Sequence, residues 1–572
     1  MAAAAGHAPA DEMRRGARQF IVFVTLGATV VGCTGGAAPA ASGPAPSQVQ
    51  VDAVSPTSLE VRWEADQDAH RWLVLLAAPD GRSVGQRTVC GACREVTVEH
   101  LAPSSAYAIR VVSMGEDRSF GPFGDPTEAE TPGAPGCDDV DAAETCAVVD
   151  GTPGGAATGV GLGALHGITS QTSIGAVTPL RPRAWRVSAL DFERFALARF
   201  YETSVTALLS DAWLGAAGTA APWDDWVRYE AFVGQVVEAH VAAQAVPDYW
   251  EVQNEPGAEG SPGGGGTAAL VLEQHERAAA VIHALLPDAR VIGPSASYVV
   301  FGGGIADMET YAGLATTGDL AGLSWHEIGA GCLGDCDGGP RAVLQHADDV
   351  RAAVAGAAGA VEPELHVNEW GAPWNFSQPG AVLGYLSSLA TAGIDVANPA
   401  CWSTAGADGS LESSCFVRPG TLGGLLLPDG RTPTDAWFAH AAYAEMTQAG
   451  SRILASTIGD PEASVFATVD AAGLIRAVLG RHTGCAGGID ENCPAGVEYA
   501  PEADLSLVLA PPAGSTVGYA ARVERIRSVA GASSGRELVA TMVLPGGGDP
   551  IPVGTWTVAD GDALLVTLLP LP

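Results

Sequence analysis

The feature that most constrains the fold is a regular alternation of short apolar segments with longer amphipathic stretches between about Gly159 and Gln448. The short segments have the length of buried strands, and the stretches between them repeat apolar residues at intervals of three and four, as helices do. Eight strand segments are predicted: GVGLGALH, AWRVS, VTALLS, YWEVQN, RVIGPS, LSWHE, ELHVNE and VANPACWS. Eight strands alternating with helices over about 290 residues predict a (β/α)8, or TIM, barrel at residues 159–448.

The regions on either side of the barrel have a different pattern. Residues 48–130 consist of short alternating segments with Pro, Gly and Ser at roughly ten-residue spacing, which predicts a small β-sandwich. Alternation returns in residues 449–572, for example in ASVFATVD and DALLVTLLPLP, and predicts a second β-sandwich. Residues 34–47 are predicted to be a linker, and residues 131–158 a linker that carries a disulfide. The chain is therefore expected to be multidomain.

The N-terminus is organised like that of an exported protein. Three arginines precede an apolar run from Phe20 to Val31, which at about 12 residues is too short to cross a bilayer core and so predicts a leader. The stretch TVVGC resembles a bacterial lipobox, which implies that residues 1–33 are a lipoprotein-type signal peptide ending at a lipidated Cys33. Plain cleavage at a small-residue site is the alternative. We expect a secreted protein or a cell-envelope lipoprotein that contacts the membrane only through its lipid anchor.

The other cysteines also indicate an oxidising compartment. They fall into five close pairs: Cys90 with Cys93, Cys137 with Cys146, Cys332 with Cys336, Cys401 with Cys415, and Cys485 with Cys493. A zinc site at Cys332 and Cys336 would need two more ligands at matching spacing, which this part of the sequence does not offer. Two acidic loops between paired cysteines do not fit the EF-hand pattern for calcium. Five local disulfides and no metal are expected.

The charge and the basic residues exclude several classes of function. The formal net charge is -36, which argues against nucleic acid or an anionic membrane surface as a partner. The sequence has no lysine, so all 29 basic residues are arginine, and Schiff-base, pyridoxal and P-loop chemistry are excluded. No cofactor is expected, and nothing in the sequence indicates an oligomeric state.

Two glutamates end predicted strands that face each other across the barrel. Glu255, in YWEVQNEPG, follows the fourth strand, and Glu369, in LHVNEWG, ends the seventh. Active residues of such barrels lie at the carboxyl ends of the strands. Glycoside hydrolysis needs two carboxylates across one bond, so the pair predicts a glycosidase. Alone, Asn-Glu-Pro would equally mark a helix start with proline in the first turn.

Two resemblances extend this interpretation. Trp63 in LEVRWEA, with Leu101 and Tyr107 in LAPSSAYAIRVVS, resembles a fibronectin type III module, which implies a spacer or binding role for residues 48–130. The barrel resembles the clan A glycoside hydrolases, and WEVQNEP is similar to the FEVWNEP-type signature of family 39. VNEW departs from the TEF or TEW that family 39 has around its nucleophile.

The clan A resemblance implies a role for each matching residue. Glu255 would be the acid/base, Asn254 the partner of the sugar 2-hydroxyl, and Glu369 the nucleophile of a retaining enzyme. In such an enzyme the two carboxyl groups stand about 5–5.5 Å apart. We expect the charge of Glu369 to raise the pKa of Glu255, so that Glu255 holds a proton at neutral pH.

Three further positions match the clan: Arg186 on strand two, His326 on strand six and Trp402 on strand eight. They would bind substrate or support the carboxylates, and Arg186 is the expected cation beside Glu369. Each also has a structural alternative, since Arg186 would suit a buried pair with Glu251, His326 a core position, and Trp402 core filling.

The sequence therefore predicts a retaining glycoside hydrolase that cleaves plant-type or microbial poly- or oligosaccharides by double displacement. The rival hypothesis is a surface carbohydrate-binding or adhesion protein that keeps the barrel without turnover. Xylosides, uronides, arabinosides and longer polysaccharides all stay open as substrates.

Overall fold

The computed structural model describes residues 43–572, except for 80–82, 117–118, 135, 138–139, 141–143, 258–265, 302–303, 329–338, 358–361, 373–374, 405–410, 414–419, 483–501, 513–514, 530–533 and 548–549. The lipobox and half of the predicted disulfide cysteines lie outside the described residues: Cys33, Cys332, Cys336, Cys415, Cys485 and Cys493. Among the helices of the described part, none is both long and apolar enough to span a membrane.

The N-terminal domain is a seven-stranded sandwich, as predicted. Its strands are β1 (Ser47–Ser55), β2 (Ser58–Glu64), β3 (Arg71–Ala77), β4 (Ser83–Cys90), β5 (Glu95–Val98), β6 (Ala106–Met114) and β7 (Thr127–Glu130). They form two sheets, ordered β1-β2-β5 and β4-β3-β6-β7. In the core the rings of Trp63 and Trp72 meet edge to face at 5.9 Å. The Tyr107 hydroxyl accepts the Ala102 N–H at 2.8 Å and closes a tyrosine corner.

The next strand, β8 (Thr145–Ala156), leaves this domain and joins the C-terminal sheet. The barrel strands follow: β9 (Gly163–Leu165), β10 (Ala184–Ser188), β11 (Ser204–Leu208), β12 (Tyr249–Glu251), β13 (Val291–Ala296), β14 (Gly322–Glu327), β15 (Glu364–Trp370) and β16 (Val396–Pro399). All eight match the predicted segments, with four of them extending one residue beyond, and they pair in parallel, in chain order. Because β16 also contacts β9, the sheet closes into a barrel. A short hairpin, β17 (Trp402–Thr404) and β18 (Leu411–Ser413), follows β16.

The barrel helices are α1 (Ile174–Val177), α2 (Phe192–Phe200), α3 (Leu209–Ala217), α4 (Trp226–Ala242), α5 (Ala268–Leu285), α6 (Met308–Leu314), α7 (Ala342–Gly356), α8 (Pro379–Thr391) and α9 (Asp435–Met446). Two 3₁₀ turns span Thr178–Leu180 and Pro222–Asp224. Side-chain N-caps fix where several helices begin: Asp191, Asp225, Thr267 and Asp307 each accept the backbone N–H three residues later. These helix starts surround the carboxyl ends of the strands and so frame that face of the barrel.

Alternation along the strands divides the barrel wall into two faces. Trp185 and Trp325 point outward into the apolar layer beneath the helices and are fully buried there. Arg186 and His326, their neighbours in the chain, point inward and hydrogen-bond to side chains from other strands. The period of two therefore places a polar cluster inside an apolar shell.

The C-terminal strands are β19 (Arg452–Ile458), β20 (Ala463–Val469), β21 (Ile475–Arg481), β22 (Glu502–Ala510), β23 (Tyr519–Ile526), β24 (Glu537–Leu544), β25 (Ile551–Ala559) and β26 (Ala563–Pro570). They form a nine-stranded sheet with β8, ordered β24-β23-β26-β21-β20-β19-β8-β22-β25. Side chains from both halves of the sheet share one core, so the sheet folds over on itself.

β8 lies in the segment expected to be a linker. It pairs antiparallel with β19 and parallel with β22, and Ala147 and Val149 enter the core of the C-terminal sheet. The segment therefore differs from the sequence expectation. It is an interior strand of the C-terminal sheet, although it precedes the barrel in the chain. Its partners are some 300 residues away in sequence, so local pattern gave no sign of the pairing.

Polar side chains join the sandwich to the barrel. Arg87 on β4 reaches the carboxylates of Asp348 and Asp349 on α7, each at 3.0 Å. Asp349 also accepts the Thr88 N–H. At the start of α7, half-buried Arg341 donates to the carbonyl of Asp460 at 2.8 Å and so ties the barrel to the C-terminal sheet.

Candidate active site

Glu255 lies at the carboxyl end of the fourth barrel strand, as predicted from YWEVQNEP. β12 ends at Glu251, and the chain then turns so that Glu255 adopts a left-handed backbone with φ 48°. For a non-glycine residue this conformation costs about 1–2 kcal/mol. The Glu255 N–H donates to the carbonyl of Ser295 on β13 at 2.9 Å, a contact that holds the strained turn in place.

Glu369 lies within the last residues of β15, beside the sixth strand. It pairs in register with His326 on β14, after an irregularity that re-aims the end of the strand. Its side chain is 17% exposed and that of Glu255 is 28% exposed, whereas the side chain of Glu251 is fully buried. Glu255 and Glu369 are thus the two acids of this cluster that a substrate can reach.

Arg186 binds acids from two strands at once. Its Nη1 lies 2.8 Å from Glu369 Oε1, and its Nε lies 2.6 Å from Glu251 Oε2. Its Nη2 donates to Asn254 Oδ1 at 2.6 Å and to Ser295 Oγ at 3.2 Å. Arg186 therefore fits both interpretations drawn from the sequence. It is a buried partner of Glu251 and also the cation beside Glu369.

His326 lies between the two predicted catalytic glutamates. Its Nδ1 is 3.2 Å from Glu255 Oε1, and its Nε2 is 3.9 Å from Glu369 Oε1. The same Nε2 is 3.0 Å from Ser295 Oγ. One imidazole thus bridges the ends of strands four and seven, which brings the two carboxyl groups to the same site.

The electrostatics of the ligand-free site differ from the expectation for Glu255. Burial acts to raise the pKa of Glu255, but the hydrogen bond and the positive charge of His326 act against it, and the pKa lies below its usual value. Burial acts to lower the pKa of His326, but the charges of Glu369 and Glu255 raise it above its usual value. The prediction of a raised Glu255 pKa was therefore wrong for this state, because it considered Glu369 and omitted the neighbouring histidine.

The remaining predicted residues lie at the same face. Asn254 joins the cluster through Arg186. Trp402, on β17, is half-buried and donates its indole N–H to the carbonyl of Gly371, just beyond the end of β15. That contact fixes the ring next to the seventh strand, where an aromatic face suits a sugar ring.

Sequence reasoning missed several polar partners of the site. Asn368 donates to Glu251 at 2.6 Å, Ser295 links Arg186 to His326, and Ser297 hydrogen-bonds to the carboxyl group of Glu255. Small polar residues are common at strand ends and carry no motif of their own. Ser295 and Asn368 could have been selected because they occupy inward-facing positions in the alternation of β13 and β15. Ser297 follows the end of β13 and had no such signal.

Two of the predicted disulfides are present among the described residues, Cys90–Cys93 and Cys137–Cys146. Cys401 is also disulfide-bonded, and Cys415, its predicted partner, lies outside the described part. Within the described residues, one group of side chains has the spacing of metal ligands: Glu99, His100 and Asp348, at the junction of sandwich and barrel. Because Asp348 already binds Arg87, this group is an interdomain contact.

Comparison with known proteins agrees with the architecture. Residues 44–130 match the fibronectin type III domain. A search among curated proteins finds no match. A GH39 enzyme from Xanthomonas axonopodis pv. citri is 15% identical with a TM-score of 0.53, over 77% of this chain and 100% of the other.

Two further solved structures have the same fold. A glucosidase from Croceicoccus marinus is 15% identical with a TM-score of 0.53, over 75% of this chain and 100% of the other. A β-xylosidase from Caulobacter crescentus CB15 is 16% identical with a TM-score of 0.51, with the same coverage. The chain therefore carries a fibronectin type III domain followed by the fold that these glycosidase structures share.

Proposed function

We propose that this protein is a retaining glycoside hydrolase with Glu255 as acid/base and Glu369 as nucleophile. The observation that carries the proposal is the pair of partly exposed carboxyl groups at the ends of strands four and seven, joined through the single ring of His326. Paired carboxylates facing one site are the machinery of glycoside hydrolysis. The fold of the solved glycosidases supports the same reaction class.

In the first step, Glu369 attacks the anomeric carbon and its carboxylate forms an ester bond to the sugar. The bond to the leaving oxygen breaks, and that oxygen takes the proton of Glu255. In the second step, Glu255 removes a proton from water, the water oxygen bonds to the anomeric carbon, and Glu369 leaves as a carboxylate. Two displacements at one carbon return the original anomeric configuration.

Arg186 and His326 prepare the two carboxyl groups for these roles. Arg186, held by buried Glu251, keeps a fixed positive charge 2.8 Å from the carboxyl group of Glu369. Without ligand, the lowered pKa of Glu255 and the raised pKa of His326 favour a proton on His326 over one on Glu255. A bound neutral sugar excludes water and favours the uncharged form of the pair, in which the proton is on Glu255.

Asn254 and Trp402 would bind the reacting sugar. The side-chain oxygen of Asn254 accepts a hydrogen bond from Arg186. The Asn254 amide nitrogen is therefore the group that would donate to a sugar 2-hydroxyl. Trp402 would stack on the sugar face. The solved structures with the same fold include a glucosidase and a β-xylosidase, so aryl glucosides and xylosides come first in a substrate panel, followed by arabinosides and uronides.

A panel of aryl glycosides tests the proposal with four proteins: the wild type, Glu369→Ala, Glu255→Ala and the control Glu193→Ala, which removes an exposed glutamate on α2. Glu369→Ala should abolish turnover of every substrate. Glu255→Ala should lose mainly substrates with poor leaving groups, by about 10²–10⁴-fold, and added azide should restore its rate. The control should keep the wild-type rate.

Unchanged rates in both catalytic variants would mean that the site lies elsewhere. Binding of oligosaccharides without turnover of any glycoside would favour the rival hypothesis of a carbohydrate-binding protein.

We also propose that the chain is exported and held at the membrane through a lipid on Cys33. The support is the short apolar leader and the disulfides, which form in oxidising compartments. Labelled palmitate should enter the wild-type protein, and Cys33→Ser should release the protein to the soluble fraction without label. Label retained by Cys33→Ser would contradict lipidation at this residue.

A further inference from the structure

Ser295 connects the supports of the two catalytic carboxyl groups. It lies near the end of β13, is completely buried, and places its Oγ 3.2 Å from Arg186 Nη2 and 3.0 Å from His326 Nε2. A guanidinium group can only donate hydrogen bonds, so the serine oxygen accepts from Arg186. The serine O–H can then donate to His326 Nε2, and the tautomer of the ring decides whether it does.

The direction of this bond is linked to the tautomer of a neutral His326. When Nε2 of a neutral imidazole accepts, the proton must be on Nδ1. Nδ1 of His326 lies 3.2 Å from Glu255 Oε1, so its N–H points at the carboxyl group of Glu255. In the Nδ1–H tautomer the donors follow one another from Arg186 through Ser295 and His326 to Glu255.

We propose that Ser295 is a positioning residue of the catalytic site, whose hydroxyl holds His326 in the tautomer that donates Nδ1–H to Glu255 Oε1. This inference rests on the proposed function, since it assigns Ser295 a role in presenting the acid. The serine thus acts on the carboxyl group of Glu255 through His326.

The arrangement works in both protonation states of the histidine. A second proton on His326 enters at Nε2, which lies 3.9 Å from Glu369 Oε1, and the negative charge of Glu369 favours it there. The serine oxygen then accepts from Nε2, since a hydroxyl group accepts as readily as it donates. Nδ1–H keeps its bond to Glu255 throughout, so the acid does not swing when His326 titrates.

The backbone of Ser295 has a separate, structural role. Its N–H donates to Ser324 Oγ at 2.8 Å, its carbonyl accepts the Glu255 N–H, and its φ is 54°. None of these contacts needs the serine hydroxyl. A change of the side chain alone therefore separates the positioning role from the support of the turn.

The test uses three variants of the full-length protein. Ser295→Ala and Ser295→Gly both remove the hydroxyl, but glycine also relieves the left-handed backbone, so agreement between them assigns an effect to the hydroxyl. Ser324→Ala is the matched control, because it removes another buried serine hydroxyl of the neighbouring strand that supports the Ser295 backbone. Nitrogen-15 spectra of labelled histidine report the protons on each ring nitrogen, with His326 assigned from the spectrum of His326→Gln.

Above the pKa of His326, the wild type should show a neutral ring with the proton on Nδ1. Both Ser295 variants should shift His326 toward the Nε2–H tautomer and lose about tenfold or more in rate on poor leaving groups, with a smaller loss on good ones. Ser324→Ala should keep the Nδ1–H tautomer. A wild-type Nε2–H tautomer, or a tautomer unchanged in both Ser295 variants, would overturn the proposal.

The spectra are recorded without substrate, so this outcome is independent of the activity assay. An Nδ1–H tautomer in a protein that hydrolyses no glycoside would contradict the proposed function and leave the hydrogen-bond assignment intact.

Discussion

At the scale of single residues, Arg186 organises the site, because it binds two of its carboxyl groups, those of Glu251 and Glu369. Its side chain is 1% exposed and binds Glu251, which is 0% exposed, on one side and Glu369 on the other. Burial acts to lower the pKa of Arg186, but Glu251 and Glu369 raise it above its usual value, so the cation is permanent. A permanent, buried charge requires an opposite charge beside it for the stability of the fold, and here the same contacts serve the chemistry.

Removing this cation should therefore destabilise the protein. Arg186→Met leaves Glu251 buried without a counter-charge, and we expect the free energy of unfolding of the barrel to fall by about 3–5 kcal/mol, together with complete loss of turnover. Denaturant unfolding followed by tryptophan fluorescence measures the change. Glu369→Gln is the control: it keeps the Arg186–Glu251 pair, and we expect it to lose turnover with a much smaller loss of stability. Equal stability of the wild type and Arg186→Met would contradict this account.

The sequence predicted the site residues that belong to a recognisable motif. It did not predict the residues that hold those side chains in position. Glu255 and Glu369 could be found because each follows a strand pattern, and opposite strands of a barrel face one site. Ser295, Ser297 and Asn368 act through contacts between different strands, and such contacts leave no local mark. The direction of the Glu255 pKa was missed for the same reason, because it is set by His326.

At the scale of elements, the strand segments were predictable because each barrel strand is a short apolar run bounded by polar residues. All eight observed strands fall within the predicted segments or extend at most one residue beyond them. β8 was not predictable as part of the C-terminal sheet: its apolar residues Ala147, Val148 and Val149 are followed by a Gly/Pro-rich stretch typical of a linker. Its partners β19 and β22 come after the whole barrel.

The position of β8 predicts where the chain can be shortened. A protein that begins at residue 159 lacks β8, which leaves the inner edges of β19 and β22 unpaired and removes Ala147 and Val149 from the core. We expect it to aggregate or to melt well below the full-length protein. A protein that begins at residue 131 keeps β8 and the Cys137–Cys146 disulfide and should stay folded. Equal melting temperatures for the two would contradict a structural role for β8.

At the scale of the whole molecule, the fibronectin type III domain is fixed to the barrel by buried charge. Arg87 is 11% exposed and Asp349 is 4% exposed, so their contact is shielded from water and salt. Arg87→Ala leaves Asp349 buried without its cation, and we expect the domain to separate from α7. Small-angle scattering should then show a larger radius of gyration. Arg110→Ala, which changes an exposed arginine of the same domain, should leave the radius unchanged.

This docking should also depend on pH. Burial raises the pKa of Asp349 to about 6 despite the opposing charges of Arg87 and His346, whereas an undocked aspartate titrates near 3.9. The docked form therefore favours the protonated carboxyl group, so its stability is lost as pH rises through about 6 and is fully present below about 4. Hydrogen exchange of the β4 amides, corrected for the intrinsic pH effect, should show stronger protection at pH 5 than at pH 7. Asp349→Asn should remove that difference.

The central claim, that Glu369 forms a covalent bond to the sugar, is tested most directly by trapping the intermediate. A 2-deoxy-2-fluoro glycoside of the best aryl substrate slows the second displacement, and mass spectrometry of the digested protein then locates the sugar. We predict one sugar per chain, on the carboxylate of Glu369, with inactivation and labelling proceeding in parallel. An active enzyme that stays unlabelled and releases product of inverted configuration, or that carries the sugar on another residue, would contradict the assignment of Glu369 as nucleophile.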